Sequence, residues 1–265
     1  MIDRDRVAAT LSPQGPLDAL RRGEPAVWLR EQSRPSAITM ADVADAQARF
    51  RHFEPALRRL FPESGWDGRI RSPLIDFAPL PPAPLHRLLV KSDHALPLTG
   101  SIKARGGVHE LLCQIERIAR AEGLLAGEAP YEGLISPAAR ERFSQYEVVV
   151  ASTGNLGFSI GLVGRLFGLK AEVHMSRDAK SWKKDRLRNL GASVVEHECD
   201  FNETVERARR ACANRARSHF IDDETSRELL LGYATAAHEL AEQLADRGIR
   251  IGTERPLYGD RKSVV

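Results

Sequence analysis

Val148, Val149, Val150 and Ala151 stand in an unbroken apolar run after Glu147, and Ser152, Thr153, Gly154 and Asn155 follow at once. Four apolar residues in a row cannot alternate between a core face and a wet face. The strand they form is therefore covered on both sides, as in a parallel sheet between helical layers. The small polar residues end that strand in a turn, and Leu156 to Phe167 reads as a helix rich in small residues. The alternation then repeats. A strand over 170–175 precedes a helix over about 179–190, which Gly191 closes. A strand over 193–198 precedes a helix over about 202–217, and Phe220 and Ile221 mark a short extended segment before a long helical stretch over 224–244. Strands separated by helices demand right-handed crossovers, so the fold class is α/β, with a parallel three-layer αβα sheet.

The first part of the chain carries a different pattern. Val7, Leu11, Leu17, Leu20, Val27 and Leu29 give a helical periodicity broken at Pro13, Pro16 and Pro25. Thr39 is the predicted N-cap of a helix to about Phe61, with Asp42 three residues on, one face formed by Val43, Ala46, Phe50, Phe53 and Leu57, and a break or kink at Pro55. Pro73, Pro79, Pro81, Pro82 and Pro84 make 72–86 an extended connector. Leu88, Leu89 and Val90 are a short strand, and 122–143 is a polar insertion with a short helix near its end.

Two stretches carry chemistry. Leu98 to Gly107 reads Leu-Thr-Gly-Ser-Ile-Lys-Ala-Arg-Gly-Gly, and Val108, Leu111, Leu112, Ile115 and Ile118 continue it at helical spacing to about Ala121. Lys103 is thus predicted in the first turn of a helix. There the helix dipole disfavours a positive charge, and a lowered amine pKa suits a lysine that reacts as a neutral nucleophile. A solvated surface lysine is the competing reading. The second stretch is the turn at 152–155, where a strand, hydroxyls and a helix start make an anion site. Gly154, Gly157 and Gly161 approach a dinucleotide fingerprint, but their spacing is not G-x-G-x-x-G.

The net charge of +3 over 265 residues gives no basis for nucleic-acid binding, and no apolar run is long enough to span a bilayer. Cys113, Cys199 and Cys212 show no C-x-x-C pair, and the odd count argues against a disulfide framework. With no apolar segment behind the charged N-terminus, the expected location is the cytoplasm. The eight histidines lack metal-ligand spacing, so no metal site is expected.

Taken together, the lysine loop and the Ser-Thr-Gly-Asn-Leu-Gly turn resemble pyridoxal-phosphate enzymes of the tryptophan-synthase-β type (fold type II). Within them the chain resembles the D-serine dehydratases, which are D-serine ammonia-lyases. The matching segments are Lys91 to Gly107, Ser144-Gln-Tyr, Ser152 to Gly157, Val173-His-Met-Ser, Ser181-Trp-Lys-Lys and Phe220-Ile-Asp-Asp-Glu. The resemblance implies that Lys103 holds pyridoxal 5'-phosphate as a Schiff base and serves as the catalytic base. It implies that Asn155 contacts the cofactor ring, and that Ser152, Thr153 and Gly154 bind the substrate carboxylate. The implied reaction is elimination from D-serine to pyruvate and ammonia, with no nucleic-acid or membrane partner; a monomer is compatible with it. An L-serine or L-threonine dehydratase of the same fold, or a non-catalytic α/β interaction module, are the alternatives.

The resemblance also implies a division. Residues 1–90 belong to a larger domain, 91–225 form the lysine loop and a smaller α/β domain, and 226–259 begin the rest of the larger, incomplete domain. Pro256-Leu257-Tyr258 reads like the approach to a further strand, and Asp260 to Val265 resembles a foreign tail. The natural protein is therefore expected to continue beyond Tyr258, where a glycine-rich phosphate loop and the partner of the pyridine nitrogen are expected. Without them this chain is expected to be an impaired fragment; a natural short protein with a basic tail is the alternative.

Overall fold

Among the described residues of the computed structural model, which are 38–77, 88–127 and 130–249 together with residue 22, Thr39 opens the first helix. The expectations for the first 37 residues, for most of the proline connector and for 250–265 otherwise lie outside the described residues. Helix α1 (Met40–Leu60) is closed at its start by a reciprocal pair. The Asp42 N–H donates to the Thr39 hydroxyl at 3.2 Å, and the Thr39 N–H donates to the Asp42 carboxylate at 2.8 Å. Val43, Ala46, Phe50, Phe53 and Leu57 are buried on one face as expected. The helix runs on through Pro55, because Phe53, Ala56 and Leu57 on either side of it are fully buried and hold the segment in place.

Part of the expected connector is a strand. Here β1 (Leu74–Phe77) pairs antiparallel with β2 (Leu88–Lys91), Leu74 opposite Lys91 and Phe77 opposite Leu88. Only Leu74 of β1 is buried, so the sequence carries no alternation that would have marked it. Helix α2 (Lys103–Ala121) follows the lysine loop, and α3 (Pro137–Phe143) ends the polar insertion behind a turn of 3₁₀ helix at Tyr131–Ile135.

The alternating part then unfolds in the expected order. It comprises β3 (Glu147–Ala151), α4 (Asn155–Phe167), β4 (Lys170–Ser176), α5 (Ser181–Asn189), β5 (Ser193–His197), α6 (Phe201–Ala213), β6 (Ser218–Ile221) and α7 (Arg227–Ala245). Gly191 ends the α5 segment at φ 79°, the left-handed conformation that glycine adopts without strain. The four strands from β3 onward form one parallel sheet in the order β5-β4-β3-β6.

The apolar run of β3 does what its pattern demands. Val149 and Ala151 pack with Ala208 and Cys212 of α6, whereas Val148 and Val150 join the main core with Ile160 and Val163 of α4. Each face of the strand is thus covered by a helix, giving three layers. Residues 38–249 belong to one compact unit. Among the described residues no helix is long and apolar enough to cross a membrane.

Candidate active site

Between β2 and α2 the chain turns through strained and glycine positions. Leu98 sits at φ 75°, unusual for a residue with a side chain, and Gly100 at φ 60° lies where an added Cβ would be 3.2 Å from the His94 carbonyl. The Thr99 and Ser101 hydroxyls are 3.2 Å apart. Lys103 is the first residue of α2, and no side chain caps the N–H groups there. What holds this turn is Arg105, two residues on and fully buried. Its guanidinium donates to Glu239 at 2.8 Å and to the Ser72 hydroxyl at 3.1 Å, and lies 3.3 Å from Asp93. Lys91 also pairs with Glu239 and donates to the Ser72 carbonyl at 2.7 Å. Burial works against the charge on Glu239, but Arg105 and Lys91 outweigh it and hold the carboxyl below the usual range. Two cations and two carboxylates therefore tie β2, the lysine loop, α2 and α7 together.

Lys103 itself is neither buried nor alone. Its Nζ donates to both oxygens of Asp223 at 2.8 and 2.6 Å, and its side chain is 31% exposed. The Tyr233 hydroxyl donates to the same carboxylate at 3.1 Å, and the Tyr233 ring centre lies 5.2 Å from Nζ. Asp223 was missed because it lies 120 residues from Lys103. The available signal was its place: it follows β6 directly, at the carboxyl end of a parallel strand, where ligands gather in open α/β sheets.

The turn after β3 is built as expected. Ser152 is buried and its hydroxyl accepts from the Gly154 N–H at 3.2 Å; Asn155 is the first residue of α4. Around Gly154 an added Cβ would meet nothing within 4 Å, so the turn is open there. At Gly157 it would be 2.8 Å from Val173, so that glycine lets α4 lie close on β4. Helices α2 and α4 also touch near their starts, since an added Cβ on Gly107 would be 2.6 Å from Leu156 Cδ1. The two helix beginnings that carry Lys103 and Asn155 are therefore neighbours. Among the described residues no hydrogen bond joins the Lys103 amine to residues 152–155.

A second cluster was not expected. His109, Cys113 and Glu228 converge beneath α1, with His109 Nδ1 2.7 Å from the Glu228 carbonyl and the Cys113 thiol 3.3 Å from the Glu228 carboxylate. Burial pushes His109 down to about 4 and the Cys113 thiol strongly up. The Arg49 guanidinium stands 3.2 Å from His109 Nε2. Each potential ligand already has a partner and a cation faces the group, so it reads as a satisfied core network.

Residues 66–250 match the family model of pyridoxal-phosphate dependent enzymes. The chain belongs to that family. Two curated relatives, each called probable D-serine dehydratase, are 44% identical to it. One, from Acidovorax ebreus, aligns over 94% of this chain and 59% of its own length. The other, from Pseudomonas paraeruginosa, aligns over 88% and 56%. The chain thus spans little more than half the length of these relatives. Among solved structures, the apo form of Escherichia coli diaminopropionate ammonia lyase superposes with a TM-score of 0.61 at 18% identity, covering 84% of this chain and 57% of that one. The same enzyme in complex with D-serine gives 0.57 at 17%, covering 84% and 53%. At this identity the likeness is one of fold.

The residues present suit the cofactor of the pyridoxal-phosphate family. A part-exposed primary amine on Lys103 and a side-chain amide on Asn155 stand at neighbouring helix starts, and Gly154 leaves space between strand and helix. An aldehyde needs the first, and a hydroxylated aromatic ring is suited by the second.

Proposed function

We propose that this chain serves the pyridoxal-phosphate-dependent elimination of ammonia from D-serine, giving pyruvate. The observation that carries the reading is Lys103, a part-exposed amine at the first residue of α2, set beside the start of α4 by the close Gly107–Leu156 approach. The relatives called probable D-serine dehydratase support the choice of substrate.

When bound, pyridoxal phosphate supplies the electron sink for charge developing at the substrate Cα. Lys103 would hold the cofactor through its amine, and as a free amine would take the substrate Cα proton. Asp223 and the Tyr233 hydroxyl keep the resulting ammonium in place, because both already face it or its partner. Ser152, Thr153 and Gly154 bind the substrate carboxylate through hydroxyls and backbone N–H groups, and Asn155 steadies the cofactor ring through its amide. The β-hydroxyl leaves as water, and a water later returns when the released enamine hydrolyses, so the net products are pyruvate and ammonia. The assignment of 91–225 to a smaller lysine-bearing domain, with the flanking segments in a larger one, and a cytoplasmic location belong to the same proposal.

The test is to treat the chain with pyridoxal phosphate and borohydride and to map the modified peptide by mass spectrometry. The adduct is expected on Lys103 and absent from Lys103→Ala. In a separate, unreduced preparation of the chain completed to its relatives' length, pyruvate release should be faster from D-serine than from L-serine or L-threonine. An adduct confined to other lysines sinks the assignment, and a preference for the L-amino acids replaces the substrate.

A further inference from the structure

The segment Ser181-Trp-Lys-Lys opens α5, and its two lysines are used differently. Lys184 is buried and fully engaged: Nζ donates to the Arg177 carbonyl at 2.6 Å and to the Glu196 carboxylate at 2.6 Å. Lys183 is half-buried and turns the other way. Its Nζ donates to the Thr153 carbonyl at 3.2 Å and lies 5.5 Å from the centre of the Trp182 ring. Among the described residues it forms no ion pair with a carboxylate. An ammonium has three donors, so a single carbonyl partner leaves Lys183 with capacity for an anion.

The anion has an evident place. Thr153 lies in the middle of the turn after β3, and Lys183 reaches that turn from across the sheet's carboxyl edge. Beside Lys183 is a small cavity of about 30 Å³, whose walls include Gly154, Asn155, Trp182, Lys183 and a second cation, Arg186. No side chain caps the start of α4, so its dipole and the Lys183 charge add positive potential at this end of the sheet. Trp182, 55% exposed, stands in the wall of this cavity with its ring centre 5.5 Å from the Lys183 amine.

We propose that Lys183 determines substrate specificity at this turn: its ammonium binds the carboxylate of the amino-acid substrate, with Trp182 as the flanking wall. This rests on the reading of residues 152–154 as the carboxylate site. It makes a free carboxylate a requirement, so amino alcohols and amino-acid esters or amides of the same shape are rejected. The two neighbouring lysines then have separate parts, Lys184 pinning α5 and Lys183 facing the turn.

The test uses the full chain labelled with nitrogen-15 at its three tryptophans, Trp28, Trp66 and Trp182. The probe is β-hydroxypropionate, which has the carboxylate and β-hydroxyl of serine but no amine, so its binding does not wait on the cofactor. The indole signal that disappears in Trp182→Phe should move saturably with β-hydroxypropionate and stay still with n-propanol. Lys183→Met should weaken this binding about tenfold, the worth of one charge-assisted hydrogen bond, while Lys183→Arg keeps most of it. The Trp66 signal, which should be unchanged, reports that each variant is folded. The proposal is overturned if the Trp182 signal does not respond, or if Lys183→Met binds as tightly as the parent. Borohydride trapping on Lys103 in the same preparations separates the two readings. Trapping that fails while binding still depends on Lys183 counts against the proposed reaction alone. Trapping that succeeds with binding indifferent to Lys183 counts against this inference alone.

Discussion

Glu116, on α2, receives three donors: Arg49 at 2.7 Å, Arg120 at 2.8 Å and the Tyr131 hydroxyl at 2.9 Å. Burial opposes its charge, but the hydrogen bonds from Arg120, Arg49 and Tyr131 outweigh it and hold the carboxyl at about 2, against an ordinary 4.5. A folded value below the unfolded one means that the charged form favours folding. This contribution is complete above about pH 4.5 and is lost as pH falls toward 2. Glu116→Gln should cost about 2 kcal/mol at neutral pH, after allowance for solvent screening, and much less in acid. Urea unfolding at neutral pH and near pH 3 checks this; an equal loss at both would show that the carboxylate charge is not the cause. At this scale Lys103 was legible in the sequence, because the turn residues before it and the apolar periodicity after it place it at a helix start. Asp223 was not. Its role depends on a contact between two distant segments, and an Asp-Asp-Glu run by itself reads as a wet loop.

Helices α2 and α7 cross where both offer glycine. An alanine Cβ at Gly232 would stand 2.7 Å from the Arg105 carbonyl and 2.8 Å from Gly106 Cα. Both are backbone atoms and cannot swing away, so the helices must part. Gly232→Ala should therefore destabilise by roughly 1–3 kcal/mol, despite the ~1 kcal/mol that alanine gains over glycine inside a helix. Gly164→Ala is the control. There the nearest atom is Val148 Cγ2 at 3.4 Å, and the helix gain should offset the small adjustment. Urea midpoints of the two variants decide it: equal stability would mean that α7 shifts freely on α2. Borohydride trapping on Lys103 should fall in Gly232→Ala, because Arg105 at the crossing is one turn or less from the lysine. The helices as elements were legible from apolar spacing and from the Thr39 and Gly191 boundaries. Strand β1 was not, because a strand with one buried residue has no period to detect.

Across the whole unit, the buried Arg105 and Glu239 and the part-buried Lys91 and Asp93 fasten segments that the sequence holds far apart; Arg105 and Glu239 are separated by 134 residues. Glu239→Gln leaves the buried Arg105 and the part-buried Lys91 facing one carboxylate and should cost about 3 kcal/mol. The double variant Arg105→Met with Glu239→Leu removes one charge of each sign and should lose less than the single variant, since the fully buried Arg105 cation goes with its partner, while the part-exposed Lys91 and Asp93 keep the Ser72 carbonyl and hydroxyl. Chemical denaturation of both checks this, and a double variant less stable than Glu239→Gln would refute it. The sequence by itself determined the order of strands and helices and the two-faced burial of β3. It also placed a lysine and a Ser-Thr-Gly-Asn turn at helix beginnings. These follow from local periodicity and turn chemistry, which act over a few residues. Only the tertiary structure decided that Asp223 faces Lys103, that Lys183 faces Thr153, and that Arg105 finds Glu239. It also decided that the sheet runs β5-β4-β3-β6. Such pairings depend on the path of the whole chain through space, and a buried charge takes its partner from whichever segment packing brings within hydrogen-bond reach.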